Sequence, residues 1–295
     1  MRLTARVPAT AANLGPGFDC LGLALDLCNE FTVDTEAEPG ITWEGEGAGE
    51  LPTDGSDMVS RAMRVAERRI AEAHGAGAFE VPALALHGTN RIPLDRGLGS
   101  SAAAAVAGVT LAYRLLDLDD PDSFATTALW LAAEIEGHPD NAAAAALGGL
   151  TIVVADDVER LDPHPGVRPI LFVPDEIRLS TEDARRAIPE TVTREDAVFN
   201  VGHAALTVAR LLHDPDRLRL AMRDRLHQDA RLALVPQARE LYLAIEEAGL
   251  PVCVSGSGPT LLAFERDGRE PPDPGDGWRV LRVPVRATGV EILEA

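Results

Sequence analysis

The spacing of apolar residues alternates along the chain between a helical and a strand period. Between residues 57 and 74, Met58, Ala62 and Ala66 recur four positions apart, with Arg and Glu between them. This spacing predicts an amphipathic helix. Residues 81–87 alternate between apolar and polar or small side chains, which predicts a strand.

The sequence predicts further elements along the chain. Strands are predicted at 2–8, 20–35 (or a hairpin there), 149–155, 168–173, 251–254 and 260–264, with mostly β structure in the last 18 residues. Helices are predicted after the serine pair at 100–101, at 124–136, from about 181, and at 194–212, 215–227 and 235–248. Stretches rich in Gly, Pro and acidic residues predict loops at 36–57 and 266–277.

A change of composition near the middle of the chain suggests two domains. Residues 156–169 are rich in Asp, Pro and Gly. The chain has 295 residues, which is about two average domains. We therefore expect two domains, at 1–160 and 161–295.

The charge balance excludes several classes of function. The chain carries 27 Lys and Arg residues against 47 Asp and Glu residues, a formal charge of −20, and none of the 27 is Lys. An acidic surface argues against nucleic-acid and anionic-membrane partners. The lack of lysine excludes a lysine P-loop, a protein-kinase site and Schiff-base chemistry. The N-terminal residues lack an apolar core of signal-peptide length, so a cytoplasmic location is expected.

A glycine turn before an Ala-rich helix is the strongest local motif. Gly97 and Gly99 precede Ser100 and Ser101, where the helix is predicted to begin. Glycines allow a ligand to approach the backbone, and the first N–H groups of a helix bind anions. The turn therefore predicts a phosphate cradle without lysine, with an ordinary capped helix as the alternative. We expect Gly99→Val to abolish binding of the phosphate ligand and leave the fold intact, because the side chain would fill the phosphate space.

Three further segments concentrate polar residues. The segment 134–141, Glu-Ile-Glu-Gly-His-Pro-Asp-Asn, offers hard oxygen ligands suited to Mg²⁺, or is a solvated helix end. The segment 255–260, Ser-Gly-Ser-Gly-Pro-Thr, is an anion nest or a hairpin turn. The glycines of the segment 13–19 do not have dinucleotide-loop spacing.

Together these segments resemble the GHMP kinase superfamily over nearly the whole chain. The segments PATAANLGPGFDCLGLAL, RIPLDRGLGSSAAA and SGSGPT resemble its three motifs, and EGHPDN is similar to a segment of the branch that phosphorylates homoserine. Mevalonate-type members carry a catalytic Asp where this chain has Asn141. The alternatives are another small-alcohol kinase of the superfamily and an inactive binding protein.

The resemblance implies an α+β, two-domain GHMP kinase fold, with an N-terminal ATP-binding domain and a ferredoxin-like C-terminal domain. It implies phosphoryl transfer from Mg·ATP to the side-chain hydroxyl of L-homoserine, for threonine synthesis. It leaves open whether the protein forms a homodimer.

The resemblance also implies roles for individual residues. Carried over by position, the ATP-binding residues are Pro93, Leu94, Asp95, Arg96, Gly97, Leu98, Gly99, Ser100, Ser101, Ala102 and Ala103, with Ser255, Gly256, Ser257 and Gly258 of the third motif. Ser101 and Glu136 match Mg²⁺ ligands. Asn13, Asp19, His138, Asp140 and Asn141 match catalytic or substrate-pocket positions, and Arg185 and Arg231 match arginines that hold the substrate carboxylate. The acceptor proton passes to the γ-phosphate, or else to Asp140 or His138 as base; sequence leaves both open.

Overall fold

The computed structural model describes residues 1–74, 83–118 and 124–294 of the chain. Its strands form a seven-stranded and a four-stranded sheet. The larger sheet contains β1 (Arg2–Ala12), β2 (Leu21–Asp34), β3 (Gly40–Gly45), β4 (Ala85–Asn90), β5 (Leu150–Val154), β6 (Asp157–Leu161) and β11 (Glu291–Glu294). The smaller sheet contains β7 (Pro169–Pro174), β8 (Val252–Val254), β9 (Leu261–Phe264) and β10 (Trp278–Arg282).

The larger sheet is built around the long strand β2. β2 pairs antiparallel with β1 along its length, while its first residues pair with β5 and its last residues with β4. β3 adds the one parallel pair of the described strands, next to β4. β11 pairs antiparallel with β1, so the end of the described chain returns to the first sheet.

Four helices accompany the larger sheet: α1 (Met58–His74), α2 (Ser100–Leu115), α3 (Phe124–Glu136) and α4 (Pro139–Leu147). α2 is buried along most of its length, and its alanines allow neighbouring helices to approach closely. Gly108 shows how close α1 lies, because a Cβ there would be 2.4 Å from the carbonyl oxygen of Val59. The small residues therefore allow α1 and α2 to pack closely against each other.

The smaller sheet has the strand order β10-β7-β9-β8, with all neighbours antiparallel. This is the order of a ferredoxin-like sheet, although residues 265–277 connect β9 to β10 as a polar loop instead of a helix. The other helices are α5 (Thr181–Arg186), α6 (Arg194–His213), α7 (Leu218–Ala221), α8 (Gln228–Leu234) and α9 (Pro236–Glu247). α8 and α9 pack on the smaller sheet through Leu232, Val235 and Ile245. The predicted α+β class is confirmed.

Two predicted elements differ from the structure. Residues 36–57, predicted as a loop, contain β3, whose alternating pattern is short and mostly exposed. Residues 215–227, predicted as one helix, form a 3-10 turn and α7, and the chain then leaves the helical path until α8. The buried Asp224 accepts backbone N–H groups of residues 226–228 there, so a side chain replaces helical bonds.

The predicted strand at 81–87 is partly outside the described residues, and β4 begins at residue 85. The predicted division at 160 separates the strands of the two sheets except for the end of β6 and for β11. The limits of the domains themselves stay a prediction.

Candidate active site

A cleft of about 290 Å³ lies at the N-terminus of α2. It brings together residues from both halves of the chain, including the loop after β1, the turn between α3 and α4, α5, α8 and the turn after β8. Most of the site residues predicted from sequence line it, and the exceptions are given below.

The glycine turn has the geometry of an anion cradle. Gly97 and Gly99 both adopt positive φ, at 71° and 68°. Gly99 caps α2 without any side-chain bond, so the first N–H groups of the helix are left for a ligand. Ser100, Ser101 and Ala102 line the cleft, whereas Ala103 is fully buried outside the lining.

The reason given above for Gly99→Val is wrong. A Cβ on Gly99 would lie 1.9 Å from Oγ1 of Thr10 and 3.2 Å from Oδ1 of Asn141, which are protein atoms beneath the turn. A Cβ on Gly97 would lie 2.2 Å from the carbonyl oxygen of Ser255. The glycines are required for packing of the turn on its neighbours, so a substitution would strain the fold as well as the site.

Arg96 fixes the beginning of the turn to the smaller sheet. Its buried guanidinium donates to the carbonyl oxygens of Leu94 at 2.9 Å and Pro174 at 2.6 Å, and also to that of Asp175. Burial lowers the pKa of Arg96, with Arg178 adding to the effect. Arg96 therefore lines the cleft with its hydrogen bonds committed to the backbone. Pro93, Leu94, Asp95 and Leu98 line the same wall.

The turn after β8 supports the glycine turn from behind. Ser255 is buried, and its Oγ donates to the carbonyl oxygen of Gly97 at 2.8 Å. Gly256 and Ser257 line the cleft, whereas Ser255 and Gly258 do not. Sequence had placed all four in the nucleotide site, and the structure separates two cleft residues from two supporting ones.

A hydroxyl and a carboxylate face each other beside the cradle. Oγ of Ser101 donates to Oε1 of Glu136 at 2.7 Å, and both residues line the cleft. Glu134 instead forms an ion pair with Arg69 on α1, at 2.6 Å, and is outside the cleft lining. Among the described residues, no cluster of three or more His, Cys, Asp or Glu side chains is arranged to hold a metal alone. Ser101 and Glu136 fit an Mg²⁺ ion that takes its other oxygens from phosphates and water.

The start of α4 carries a buried carboxylate into the cleft. Asp140 is 2% exposed. Burial raises the pKa of Asp140, and the neighbouring His138 opposes that rise. His138 lines the cleft with its Nδ1 buried and without a partner among the described residues. Asn141 also lines the cleft, and its Oδ1 accepts a hydrogen bond from Thr10 at 2.7 Å.

The loop after β1 brings two further predicted residues into the site. Nδ2 of Asn13 donates to the carbonyl oxygen of Gly256 at 2.8 Å, and its Oδ1 accepts from the backbone N–H of Asp19 at 3.0 Å. Asn13 and Asp19 both adopt positive φ. This backbone aims the Asp19 carboxylate at Arg185, and the two form a pair of hydrogen bonds.

Arg231 approaches the same region from α8. It is 4% exposed, and its Nη1 donates to the carbonyl oxygen of Gly256 at 2.6 Å. Burial lowers the pKa of Arg231 to about 10, helped by the charge of Arg185. Both guanidinium groups lie against the ring of Phe18, at 5.9 Å for Arg185 and 5.4 Å for Arg231. The cleft thus has a region with two arginines and two aspartates next to the cradle.

Sequence reasoning missed the apolar end of the cleft. The rings of Phe31 and Trp43 lie edge to face there, with their centroids 6.4 Å apart. Asn29 and Asp57 line this end and are buried, and each has a side-chain atom, Nδ2 of Asn29 and Oδ2 of Asp57, without a partner among the described residues. No short motif marks these positions, because they come from separate strands and a loop. The buried Asn within β2 was the available signal.

Two segments of the chain match models of known protein families. Residues 57–149 match the family model described as GHMP kinases N terminal domain, and residues 204–271 match the one described as GHMP kinases C terminal.

Curated relatives match over most of the chain. The chain is 46% identical over 274 residues to a homoserine kinase of Clavibacter michiganensis, covering 90% of this chain and 83% of the relative. It is 41% identical over 314 aligned positions to a homoserine kinase of Rhodococcus erythropolis, covering 99% of this chain and 96% of the relative.

Solved structures share the fold. A homoserine kinase of Cytophaga hutchinsonii superimposes with a TM-score of 0.81 at 26% identity, covering 99% of this chain and 97% of that one. A mevalonate kinase superimposes with a TM-score of 0.66 at 10% identity, covering 96% of this chain and 99% of that one, which shows a common fold.

Proposed function

We propose that this chain, which belongs to the GHMP kinase family, transfers the terminal phosphoryl group of ATP to the side-chain hydroxyl of L-homoserine and yields O-phospho-L-homoserine. The observation that carries the proposal is one cleft with an anion cradle beside a cluster of two arginines and two aspartates. Homoserine has a carboxylate, an ammonium group and a hydroxyl, and that cluster offers a partner for each charge. The curated relatives that match most of the chain carry the same activity in their names.

The cradle binds the ATP phosphates in this proposal. The phosphates lie at the N-terminus of α2, where unpaired N–H groups and the positive end of the helix dipole stabilise negative charge. Phosphoryl transfer depends mainly on positioning and charge stabilisation. Backbone groups held by Arg96 and Ser255 supply that stabilisation in a chain without lysine.

The base of the nucleotide binds at the apolar end. Trp43 is half-buried, packs edge to face with the buried Phe31 and offers flat apolar surface to the base.

Ser101 and Glu136 would hold an Mg²⁺ ion next to the phosphates. The ion, when bound, neutralises phosphate charge as it develops. The 2.7 Å hydrogen bond between Oγ of Ser101 and Oε1 of Glu136 supports this assignment, because both oxygens would face the same ion.

The acceptor amino acid lies between the two halves of the chain. Arg185 and Arg231 bind its carboxylate, and Asp19 or Asp140 binds its ammonium group. The hydroxyl then points towards the cradle near Asn141 and His138. Its proton passes either directly to the γ-phosphate or to Asp140 or His138. Burial raises the pKa of Asp140, so this carboxylate takes up a proton more readily than an exposed aspartate does.

The wider setting follows from the same proposal. The domains 1–160 and 161–295 would bind nucleotide and enclose the acceptor, respectively. The enzyme would act in the cytoplasm, where ATP is available, and in threonine synthesis. No helix of the described ranges is long and apolar enough to cross a membrane. A homodimer stays a prediction that light scattering would test.

A coupled ADP-release assay over a panel of alcohols tests the function. We expect homoserine to give the highest kcat/KM, and mass spectrometry to find the phosphate on its side-chain oxygen. A higher kcat/KM for mevalonate or a sugar would mean that this compound, and not homoserine, is the acceptor. No turnover with any alcohol would indicate a binding protein.

A further inference from the structure

A buried polar network lies behind the proposed acceptor pocket. Its centre is Asp224, whose side chain is fully buried. The Asp224 carboxylate accepts from Nδ2 of Asn200 at 2.7 Å and from the backbone N–H groups of His227 and Gln228 at 2.8 Å each. His227 is thereby fixed immediately before α8, the helix that carries Arg231.

The contacts of His227 define its tautomer. Nδ1 of His227 lies 2.9 Å from Nη1 of Arg231, and Nε2 lies 2.8 Å from the carbonyl oxygen of Gly15. A guanidinium has only donors and a carbonyl only accepts. Nδ1 must therefore accept from Arg231, and Nε2 must carry the proton that is donated to Gly15. A protonated ring would place an N–H against the guanidinium. Burial lowers the pKa of His227 to about 4, with Asp224 opposing the shift, so the ring is neutral near pH 7.

This ring limits the orientation of Arg231. Both protons of Nη1 are used, one by Nδ1 of His227 and one by the carbonyl oxygen of Gly256. Nη2 has no hydrogen-bond partner among the described residues, and Arg231 lines the cleft. Two fixed bonds at one nitrogen set the plane of the guanidinium, so the remaining donors are held in place before a ligand arrives.

The same ring also contacts the loop after β1. It stacks on Phe18 with the centroids 5.1 Å apart, and its Nε2–H donates to Gly15. Asn200 reaches the same loop through the carbonyl oxygen of Pro16 at 3.3 Å. This loop carries Asn13 and Asp19, so His227 connects both sides of the acceptor pocket.

We propose that His227 is a positioning residue for acceptor binding, which holds Arg231 in the orientation that receives the substrate carboxylate. The inference rests on the proposed function, because it assumes that Arg231 binds that carboxylate. His227 does not line the cleft and acts through Arg231.

Two substitutions distinguish the hydrogen bond between His227 and Arg231 from the one between His227 and Gly15. In His227→Asn, the amide oxygen can replace Nδ1 as acceptor for Arg231, and the bond to Gly15 is lost. In His227→Gln, the amide nitrogen can replace Nε2 as donor to Gly15, and the acceptor for Arg231 is lost. Both remove the stacking on Phe18, so each variant is the matched control of the other.

We expect His227→Gln to raise the KM for homoserine about tenfold, the effect of one hydrogen bond to a charged group. His227→Asn should stay close to the wild type, and neither should change the KM for ATP. The gap between the variants should vanish with 3-aminopropan-1-ol, which is homoserine without its carboxylate. Equal increases in KM for the two variants, or a larger one for Asn, would overturn the proposal.

Nitrogen-15 NMR of the wild-type protein labelled at histidine gives a test that does not require a folded variant. We expect the His227 ring to be protonated at Nε2 alone between pH 6 and 8, and a proton on Nδ1 would contradict the proposal. If the wild type fails to phosphorylate homoserine at all, the proposed function fails, whatever the tautomer.

Discussion

Arg185 and Asp19 form a two-bond ion pair, with Nη1 to Oδ2 at 2.9 Å and Nη2 to Oδ1 at 2.8 Å. Each side chain is about one-third exposed, at 36%. The carboxylate that Arg185 contacts is therefore one of the protein's own. In the proposed function, an amino acid would supply a carboxylate for Arg185 and an ammonium group for Asp19, and so would replace the internal pair by two new ones.

Removing either arginine should weaken acceptor binding selectively. Arg185→Ala or Arg231→Ala should raise the KM for homoserine by roughly ten- to a hundredfold, because a hydrogen bond to a charged group contributes about 1.5–3 kcal/mol. The KM for ATP should stay nearly constant, since the cradle lies on α2. Steady-state kinetics with each substrate varied in turn measures both.

A carboxylate-free acceptor completes that test. It should bind the wild type weakly, and the arginine variants little worse than the wild type. Additive losses in this cycle of enzyme and substrate changes would mean that neither arginine touches the carboxylate.

Glu136→Gln should reduce turnover far more than Glu134→Gln. Glu136 faces Ser101 in the cleft, whereas Glu134 forms an exposed pair with Arg69, and such a pair contributes about 1 kcal/mol or less. Titration of activity with Mg²⁺ should show a higher half-saturating concentration for Glu136→Gln alone. Similar Mg²⁺ curves for both variants would remove Glu136 from the metal site.

Gly99→Ala should destabilise the protein and weaken ATP binding together. The positive φ costs about 1–2 kcal/mol, and the collision with Thr10 adds to it. Gly268→Ala is the control, since Gly268 has a similar φ of 71° and open space around its Cβ position. Thermal unfolding should show the larger loss for Gly99→Ala, and Thr10→Ala in the same background should recover part of it. A Gly99→Ala protein as stable as the Gly268 control would refute the packing argument.

Stability should fall as the pH is lowered from about 6.5 towards 4. The unfolded chain protonates His227 near its ordinary pKa of about 6.5, whereas the folded protein protonates it only near 4. The unfolded state binds more protons in this window, so acid favours unfolding. His227 faces Asp224, Arg231 and Asp19.

The unfolding temperature measured across this range should decline less steeply for His227→Asn than for the wild type. His213→Asn, a change at the exposed end of α6, should keep the wild-type slope. Parallel curves for His227→Asn and the wild type would assign the acid sensitivity to other groups.

The sequence predicted those parts of the molecule that local chemistry determines. α1 follows from its apolar period, and α2 follows from the glycine turn. The family resemblance matches Glu136, and not Glu134, to a metal ligand, and of the two only Glu136 lines the cleft.

Other features depend on contacts between distant segments. A strand such as β3 is stabilised by its neighbour β4, and its own six residues carry little pattern. The lack of space for a Cβ at Gly99 depends on Thr10, which is far away in the chain. The role of Arg96 likewise depends on carbonyl oxygens at the end of β7. No periodicity reports on such pairs.

The pairing of β11 with β1 affects how the chain folds during synthesis. Leu3 to Arg6 wait for partners in residues 291–294, which leave the ribosome only after the entire smaller sheet. Until then, one edge of the larger sheet has free N–H and C=O groups and is open to association with other chains. A C-terminal fusion that hinders β11 should therefore lower soluble yield more than an equal fusion at the N-terminus.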